Sequence, residues 1–374
     1  MSKQYTVYFA TNRNPIVGSA GKITGFGPYL SQAQGMDLRY GQIQVAVSGA
    51  PKQGKIVPGS LRVYDEKMLV GLGQQPKRGS DELFSALRPS LASAKTIVLF
   101  VHGFFNTFSD SMERAATILA FYGIDADILA FGWPSQGTLL GYQLDRGMAR
   151  QSGPAFARVV RRLMAEVAEM TKAAPNASPP VIHLLCHSMG NYVLRFGVQA
   201  LLAQPRDVDA GDPLPSAPAT HLPTVFRQII LAAADEDSDA FDRQDKLRAL
   251  PDLGRRVTVY YTHEDWVLTV LSGTFQFNGP RLGATGPDNM ATISDKVVAV
   301  DVSNVVPAEL NANSHQYYRI YGPVRDDAVA VLSGQASDKI PGRVATAVPR
   351  RYVIVPKRTA APSRKRSTPA LVDA

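Results

Sequence analysis

Short, unbroken apolar runs recur along the chain between residues 96 and 302, and stretches with apolar residues at helical spacing separate them. An apolar run without polar interruption is typical of a strand that is buried on both faces of a parallel sheet. Strands that alternate with amphipathic helices predict an α/β fold class, with a mostly parallel central sheet and helices on both of its faces. The predicted strands are 96–101, 126–131, 181–185, 226–234, 256–261 and 296–302, and the predicted helices are one that starts near Ser109, 154–170, 191–202 and 239–250.

Three shorter runs of β-branched and aromatic residues precede this series, at 5–9, 41–48 and 60–64. Gly, Pro and Ser residues separate them, which is typical of hairpins and of strands at the edge of a sheet. The sequence therefore predicts an N-terminal extension of antiparallel or edge strands.

The strand and helix signals follow one another without a break, so we expect a single large domain over residues 1–340. Within it, we assign the N-terminal strands to 1–90 and the core to 95–325. The stretch 205–223 is rich in Pro, Asp and Ala, which predicts a surface loop or insertion. Whether this stretch forms a lid is left open by the sequence. Residues 341–374 are expected to form a separate, disordered tail.

Positive charge is concentrated in that tail. The whole chain has a formal net charge of +8. Residues 341–374 contain eight Lys and Arg against one acid, a charge of +7, whereas residues 1–340 contain 32 against 31, a charge of +1. A basic segment with almost no aromatic residues is typical of a solvated chain end. It could contact anionic lipid or nucleic acid weakly, but the nearly neutral body argues against specific nucleic-acid binding.

Cysteine usage and hydropathy exclude several classes of protein. The single cysteine, Cys186, excludes an internal disulfide framework, and the Cys and His residues lack the spacing of a structural zinc site. The N-terminus lacks the layout of a signal peptide, and no stretch approaches the roughly 18 apolar residues of a membrane span. We therefore expect a soluble, cytoplasmic protein without a transmembrane segment.

The most informative motif is Cys186-His187-Ser188-Met189-Gly190, which lies between a predicted buried strand and a predicted helix. A sharp strand-to-helix turn requires small residues at its ends, and it lifts the central serine above the sheet. The backbone N–H of Met189, at the start of the helix, would then point toward developing negative charge. The motif resembles the nucleophile elbow of the α/β-hydrolase superfamily, which is usually Gly-x-Ser-x-Gly. Here Cys186 replaces the first glycine.

The resemblance implies a role for the segment that contains His102 and Gly103. His102-Gly103 ends the strand 96–101, and in the superfamily this position marks the loop that supplies the second donor of the oxyanion hole. By this resemblance the donor is the backbone N–H of Phe104. Two main-chain donors can stabilise an oxyanion without a charged residue.

The catalytic histidine of the superfamily follows the nucleophile and the acid in the chain, and lies after the last strand. Three histidines follow Ser188. His221 lies in the Pro-rich stretch, and His263 shares a strand end with a candidate acid. His315, which follows the strand 296–302, is at the position that the resemblance implies for the general base.

Two strand ends offer an acid. Asp265 follows the strand 256–261, which usually carries the acid in the superfamily, and we place it first. Asp235 and Asp237 end the preceding strand and are the alternatives, because some members of the superfamily carry the acid there. Acidic residues at strand ends are also common as helix caps or solvated loop residues.

Further segments, namely ATNR, FGWPSQG, LAAADEDSDAF, Arg281-Leu282-Gly283 and SHQYY, are together similar to a bacterial esterase- or lipase-like family of α/β-hydrolases of unknown function. The resemblance implies a serine hydrolase that cleaves carboxylic esters through an acyl-enzyme and needs no metal or organic cofactor. Amide, thioester or lipid hydrolysis, and a binding or scaffold protein without turnover, are the alternatives. The substrate is expected to be a small, apolar ester, because five aromatic residues would make the entrance apolar if they face it: Phe104, Phe105, Phe108, Trp133 and Trp266.

Overall fold

The large sheet at the centre of the protein is known from a computed structural model, which describes residues 2–31, 37–50, 52–64, 78–93, 95–203, 219–272, 279–308 and 313–356. The strands in these residues are β1 (Lys3–Thr11), β2 (Arg13–Val17), β3 (Ile23–Leu30), β4 (Arg39–Ser48), β5 (Gln53–Ile56), β6 (Arg62–Tyr64), β7 (Thr96–Val101), β8 (Ala126–Gly132), β9 (Ile182–His187), β10 (Gln228–Ala232), β11 (Val257–Tyr261), β12 (Val297–Asp301), β13 (Arg343–Ala345) and β14 (Arg351–Ile354). Twelve of them form one sheet in the order β13-β14-β12-β11-β10-β9-β7-β8-β1-β4-β5, with β6 also paired to β4. The strands β2 and β3 form a separate antiparallel pair.

The predicted fold class is confirmed. Seven neighbouring strands of the sheet, β8, β7, β9, β10, β11, β12 and β14 in spatial order, pair in parallel. The strands β4, β5 and β6 extend the N-terminal side of the sheet in antiparallel pairs. The N-terminal extension contains antiparallel pairs, as predicted, but β1 itself lies inside the sheet: it pairs antiparallel with β4 and in parallel with β8. Its Val7 and Phe9 are fully buried, which explains how so short an apolar run occupies an interior position.

Helices cover both faces of the sheet, as the continuous burial of its central strands requires. Side chains of one strand, such as Leu99 and Phe100 of β7, therefore belong to two different hydrophobic clusters. The helices are α1 (Gly79–Ala92), α2 (Phe108–Tyr122), α3 (Tyr142–Ala173), α4 (Gly190–Ala203) and α5 (Gly322–Leu332), with a single helical turn at Leu282–Thr285 and a short π-helix at Val267–Ser272. Residues of α1, α3 and α4 belong to the first cluster, and residues of α2 and α5 belong to the second.

Two helix predictions differ from the structure. Helix α3 begins at Tyr142, twelve residues before the predicted start at Pro154, so that this proline lies inside the helix. The predicted helix at 239–250 is a series of turns followed by the 3₁₀ turn Leu250–Leu253. Within this segment Asp239 forms an ion pair with Lys246.

The predicted boundary of the tail at residue 341 is also wrong. Residues 343–345 and 351–354 form β13 and β14 at the edge of the main sheet, where Arg351 lies opposite Ala299 of β12. The side chain of Arg343 is buried and donates two hydrogen bonds of 2.6 Å to the carboxylate of Asp327. Part of the positive charge assigned to a solvated tail is therefore neutralised inside the fold. Residues 357–374, and residues 205–218 of the predicted insertion, lie outside the described residues. None of the described helices is long and apolar enough to cross a membrane.

Candidate active site

The turn between β9 and α4 presents Ser188 at the carboxyl edge of the sheet. Its backbone is left-handed, with φ at +52°, a conformation that a residue with a Cβ adopts only at a cost of order 1 kcal/mol or more. Hydrogen bonds hold it there: the Ser188 N–H donates to the Ala232 carbonyl at 3.0 Å, and the Ser188 carbonyl accepts the Asn191 N–H at 3.0 Å. Cys186 is fully buried in the first hydrophobic cluster, so its small side chain fits where the family has glycine.

The loops after β11 and β12 bring a histidine and a carboxylate together. His315 Nδ1 lies 2.7 Å from Asp265 Oδ2, and because a carboxylate only accepts, Nδ1 carries the proton. The other Asp265 oxygen accepts the Leu268 N–H at 3.0 Å, and its side chain is fully buried. The carboxylate is therefore fixed on both sides and orients the imidazole ring.

The His315 loop is also attached to the serine turn. His187, the residue before Ser188, donates from Nε2 to the His315 carbonyl at 3.0 Å, and the two rings have a centroid separation of 4.8 Å. Burial lowers the pKa of His187, which keeps its ring neutral. Ser188, His315 and Asp265 thus share one edge of the sheet.

The two alternative acids have different partners. Asp235 accepts hydrogen bonds from Tyr142 Oη at 2.6 Å, Ser272 Oγ at 2.9 Å and Arg281 Nη2 at 2.7 Å. Burial alone would raise the pKa of Asp235, but the positive charges of Arg281 and Arg146, together with the hydrogen bonds from Tyr142 and Arg281, outweigh it and lower the pKa to about 2. Asp237 forms ion pairs with the same Arg281 and with a lysine. Among the described residues neither carboxylate bonds to a histidine.

Asp235 nevertheless lies beside the serine turn, since its N–H donates to the Ser188 carbonyl at 3.2 Å. The Arg281 and Asp235 pair was not predicted from the sequence, although both residues stand in the segments that carry the resemblance. This pair is fully buried at the serine turn and contributes to its shape.

The loop after β7 packs directly against the serine. A Cβ built on Gly103 would lie 2.6 Å from Ser188 Cβ and 2.9 Å from His187 Nδ1, so that no larger residue fits. Phe104 is partly buried and packs edge-on against Tyr142, with ring centroids 5.3 Å apart. Met189, the other predicted donor residue, has a fully buried side chain and a backbone at the start of α4.

Two of the five aromatic residues expected at the entrance belong to the core instead. Trp133 is fully buried, stacks on His102 with ring centroids 5.1 Å apart, and donates from Nε1 to the His102 carbonyl at 2.7 Å. Phe108 packs against Phe9 beneath the other face of the sheet. Phe105, by contrast, is 46% exposed.

Four polar residues around the loop after β7 have no role in the sequence predictions. They form a buried network through hydrogen bonds between side chains and main chain. These residues are Arg13, Asn106, Ser135 and Asp145. The first three lie in sequence motifs that could have identified them: Arg13 in ATNR, Asn106 in HGFFNTF (residues 102–108) and Ser135 in FGWPSQG. Among the described residues, no group of three His, Cys, Asp or Glu side chains has the arrangement of a metal site.

Comparison with known proteins gives one family and several distant structures. The profile of a family described as "Alpha/beta hydrolase of unknown function (DUF900)" matches residues 81–324, more than half of the chain. No curated protein matches the sequence. An acetyl xylan esterase structure shares 13% identity with a TM-score of 0.33, covering 64% of this chain and 97% of that chain. The catalytic core domain of acetyl xylan esterase from Trichoderma reesei shares 11% identity with a TM-score of 0.32, and the match covers 64% of this chain and 98% of that chain. A cutinase-like protein from Cryptococcus sp. shares 12% identity with a TM-score of 0.31, and the match covers 65% of this chain and 97% of that chain.

Proposed function

We propose that this chain, which belongs to the α/β-hydrolase family of unknown function as its motifs predicted, is a serine hydrolase that cleaves carboxylic esters. The observation that carries the proposal is the hydrogen bond of 2.7 Å between His315 Nδ1 and Asp265, beside a serine in a left-handed turn. A serine hydroxyl is a poor nucleophile at neutral pH and requires a base that is itself oriented.

In the proposed mechanism Ser188 is the nucleophile, His315 the general base and Asp265 the acid that orients the imidazole. Asp265 accepts a hydrogen bond from the Nδ1–H of His315, which keeps that proton on Nδ1 and leaves Nε2 free to take the proton of the Ser188 hydroxyl. The oxygen of Ser188 then bonds to the ester carbonyl carbon, and the carbonyl oxygen becomes an oxyanion.

The N–H groups of Met189 and Phe104 are the proposed donors to that oxyanion, and each such donor contributes about 3 kcal/mol in comparable enzymes. The protonated His315 gives its proton to the departing alkoxide, which leaves as an alcohol. Water, activated by the same imidazole, then releases the acid from the acyl-enzyme and restores Ser188.

The surroundings of the serine favour an uncharged ester as substrate. Phe104 lies next to the serine turn and Phe105 is exposed beside it, so apolar surface borders the proposed site. Asp235, whose N–H bonds to the Ser188 carbonyl, has its negative charge balanced by Arg281. Amide, thioester and lipid substrates would use the same groups, and a substrate panel separates them.

Labelling with a fluorophosphonate probe tests the nucleophile. We expect the wild-type chain to be labelled and Ser188→Ala to be unlabelled. A matched control is Ser303→Ala, because Ser303 Oγ also lies close to a histidine, at 2.8 Å from His263 Nδ1, but bonds to Asp301 itself. Labelling of wild type and of Ser303→Ala, without labelling of Ser188→Ala, would support the proposal.

The substrate class is tested with aryl esters of graded acyl length, together with matched amides and thioesters. We expect turnover of esters that Ser188→Ala and His315→Ala both lose by at least about a thousandfold, as removal of a triad residue does in known serine hydrolases. If wild type hydrolyses none of these esters faster than Ser188→Ala, the chain is a binding or scaffold protein on this fold.

A further inference from the structure

A fully buried arginine lies behind the loop that carries Gly103 and Phe104. Arg13, at the start of β2, is 1% exposed, and within the described residues it forms no salt bridge. Its guanidinium donates only to main-chain oxygens, at 2.8 Å to Asn106, 3.1 Å to Gly27 and 3.3 Å to Ser135. Burying a charge without a paired carboxylate is costly. An arginine retained in such a place therefore suggests a function beyond packing.

Asn106, which accepts one of these bonds, determines the direction of two peptide groups. Its Nδ2 donates to the carbonyls of Gly103 and Phe104, at 2.8 Å each. Both partners are acceptors, so the side-chain amide can be oriented only in this way. His102 Nδ1 reaches the same Gly103 carbonyl at 2.9 Å.

The carbonyl of Gly103 and the N–H of Phe104 belong to one planar trans peptide group and point in opposite directions. When Asn106 holds the carbonyl on one side of the loop, the Phe104 N–H must lie on the other side. That N–H is one of the two proposed oxyanion donors, and Gly103 packs against the Ser188 side chain.

The backbone of Asn106 is itself held at both of its polar groups. Its carbonyl accepts from Arg13 Nη2, and its N–H donates to Ser135 Oγ at 3.2 Å. Ser135 Oγ in turn donates to Asp145 Oδ2 at 2.5 Å. Burial lowers the pKa of Arg13, and the charge of Asp145 partly offsets that effect. Arg13, Asn106, Ser135 and Asp145 therefore form one continuous hydrogen-bond network, which connects the start of β2 to the first turn of α3.

We infer that Arg13 is a positioning residue, which acts through Asn106 to aim the Phe104 N–H at the oxyanion. The inference rests on the proposed function, and it assigns a purpose to the ATNR, HGFFNTF and FGWPSQG motifs. A donor matters most when negative charge develops, so loss of its alignment lowers kcat and leaves KM nearly unchanged. Complete loss of one such donor costs a hundredfold to a thousandfold in kcat.

The test compares Arg13→Met with Arg256→Met, using an ester that the wild-type chain hydrolyses. Arg256 is a suitable control because it also donates to main-chain oxygens, of Gln335 and Val331, but lies before β11, at the opposite end of that strand from Asp265. Both variants should lose thermal stability. We expect kcat per folded molecule to fall by ten- to a hundredfold in Arg13→Met, with KM within about threefold of wild type, and to stay within about threefold in Arg256→Met.

A second variant keeps the test decisive if Arg13→Met does not fold. Asn106→Ala removes the amide that holds the two carbonyls but keeps the buried arginine, and it should show the same loss of kcat at unchanged KM. Arg13→Lys restores the charge but not the reach to three oxygens, so it should recover stability more than kcat.

The inference is overturned if kcat per folded molecule in Arg13→Met and Asn106→Ala matches that of Arg256→Met while wild type remains active. That result would leave the proposed function intact. Absence of Ser188-dependent activity in wild type would instead refute the proposed function, and the inference with it.

Discussion

Replacement of Gly103 by alanine is the sharpest test of the packing between the loop after β7 and the serine. The new methyl group would lie 2.6 Å from Ser188 Cβ, 2.9 Å from His187 Nδ1 and 3.1 Å from the His187 carbonyl, whereas ordinary contacts begin at 3.4 Å. The loop or the serine turn must therefore move by about 0.8 Å. Neither can do so easily, because Ser188 is held by backbone hydrogen bonds and the loop by Asn106.

A displacement of this size has different effects on stability and on catalysis. Overpacking of one methyl group costs typically 1–3 kcal/mol of unfolding free energy, which a domain of this size can tolerate. Misplacement of reacting groups by about 1 Å can cost a hundredfold in rate. We therefore expect Gly103→Ala to remain folded but to lose about a hundredfold in kcat/KM for ester hydrolysis and in the rate of fluorophosphonate labelling.

The control is Gly147→Ala in α3, where an added Cβ meets nothing within 4 Å. It should leave activity unchanged and stabilise the helix slightly, by up to about 1 kcal/mol. Activities are measured per folded molecule, with the folded fraction taken from urea unfolding. If Gly103→Ala retained activity within about threefold of wild type, the nucleophile would not lie against this loop, and the proposed oxyanion site would be refuted.

Three further predictions follow from buried charges. Asp265→Asn should lower kcat by about 10⁴-fold with little loss of folding, as for the equivalent change in a known triad. Asp235→Asn should instead reduce stability by several kcal/mol, because it removes one of the two carboxylates that balance the charge of the buried Arg281. Equal losses of kcat would refute this assignment of the acid. Burial raises the pKa of Glu236 to about 7, so the unfolded chain loses this proton near pH 4.5 and the folded chain near pH 7. Stability from this group is present below about pH 4.5 and is lost as the pH rises through 7, by on the order of 3 kcal/mol, and urea unfolding of Glu236→Gln should lack that loss. Truncation after Pro356 should preserve the cooperative unfolding transition, whereas truncation after Ile340 should destabilise the fold, because it removes two strands and the buried partner of Asp327.

Features that depend on neighbours in the sequence were predictable. The buried strands of the core and the turn around Ser188 depend on apolar runs and on small residues at fixed spacing, which a reader of the sequence can see. The strand β9 and the helix α4 begin within one residue of the predicted positions. Local patterns suffice here because both elements are buried and continuous.

Features that depend on distant partners were not predictable. The segment 343–354 is rich in arginine, and composition alone assigned it to a solvated tail. Its place in the sheet depends on Asp327, sixteen residues before Arg343, and on the open edge of β12. A run of basic residues indicates a solvated segment only if no buried carboxylate elsewhere in the chain pairs with it.

The choice of acid shows the same limit at the site itself. Asp235 and Asp265 follow adjacent parallel strands, so from the sequence either could reach a histidine at the same edge of the sheet. Arg281, 46 residues after Asp235, distinguishes the two acids. It binds the Asp235 carboxylate with two of its nitrogens, so that Asp235 is paired with an arginine and not with a histidine. Asp265 pairs with a histidine 50 residues away. A carboxylate already held by an arginine gains little from a neutral imidazole, whereas one held only by a backbone N–H remains free to orient it. The arginine in the RLG motif therefore identifies which aspartate is available for the proposed catalysis, and that reasoning can be applied to any chain with two acids at neighbouring strand ends.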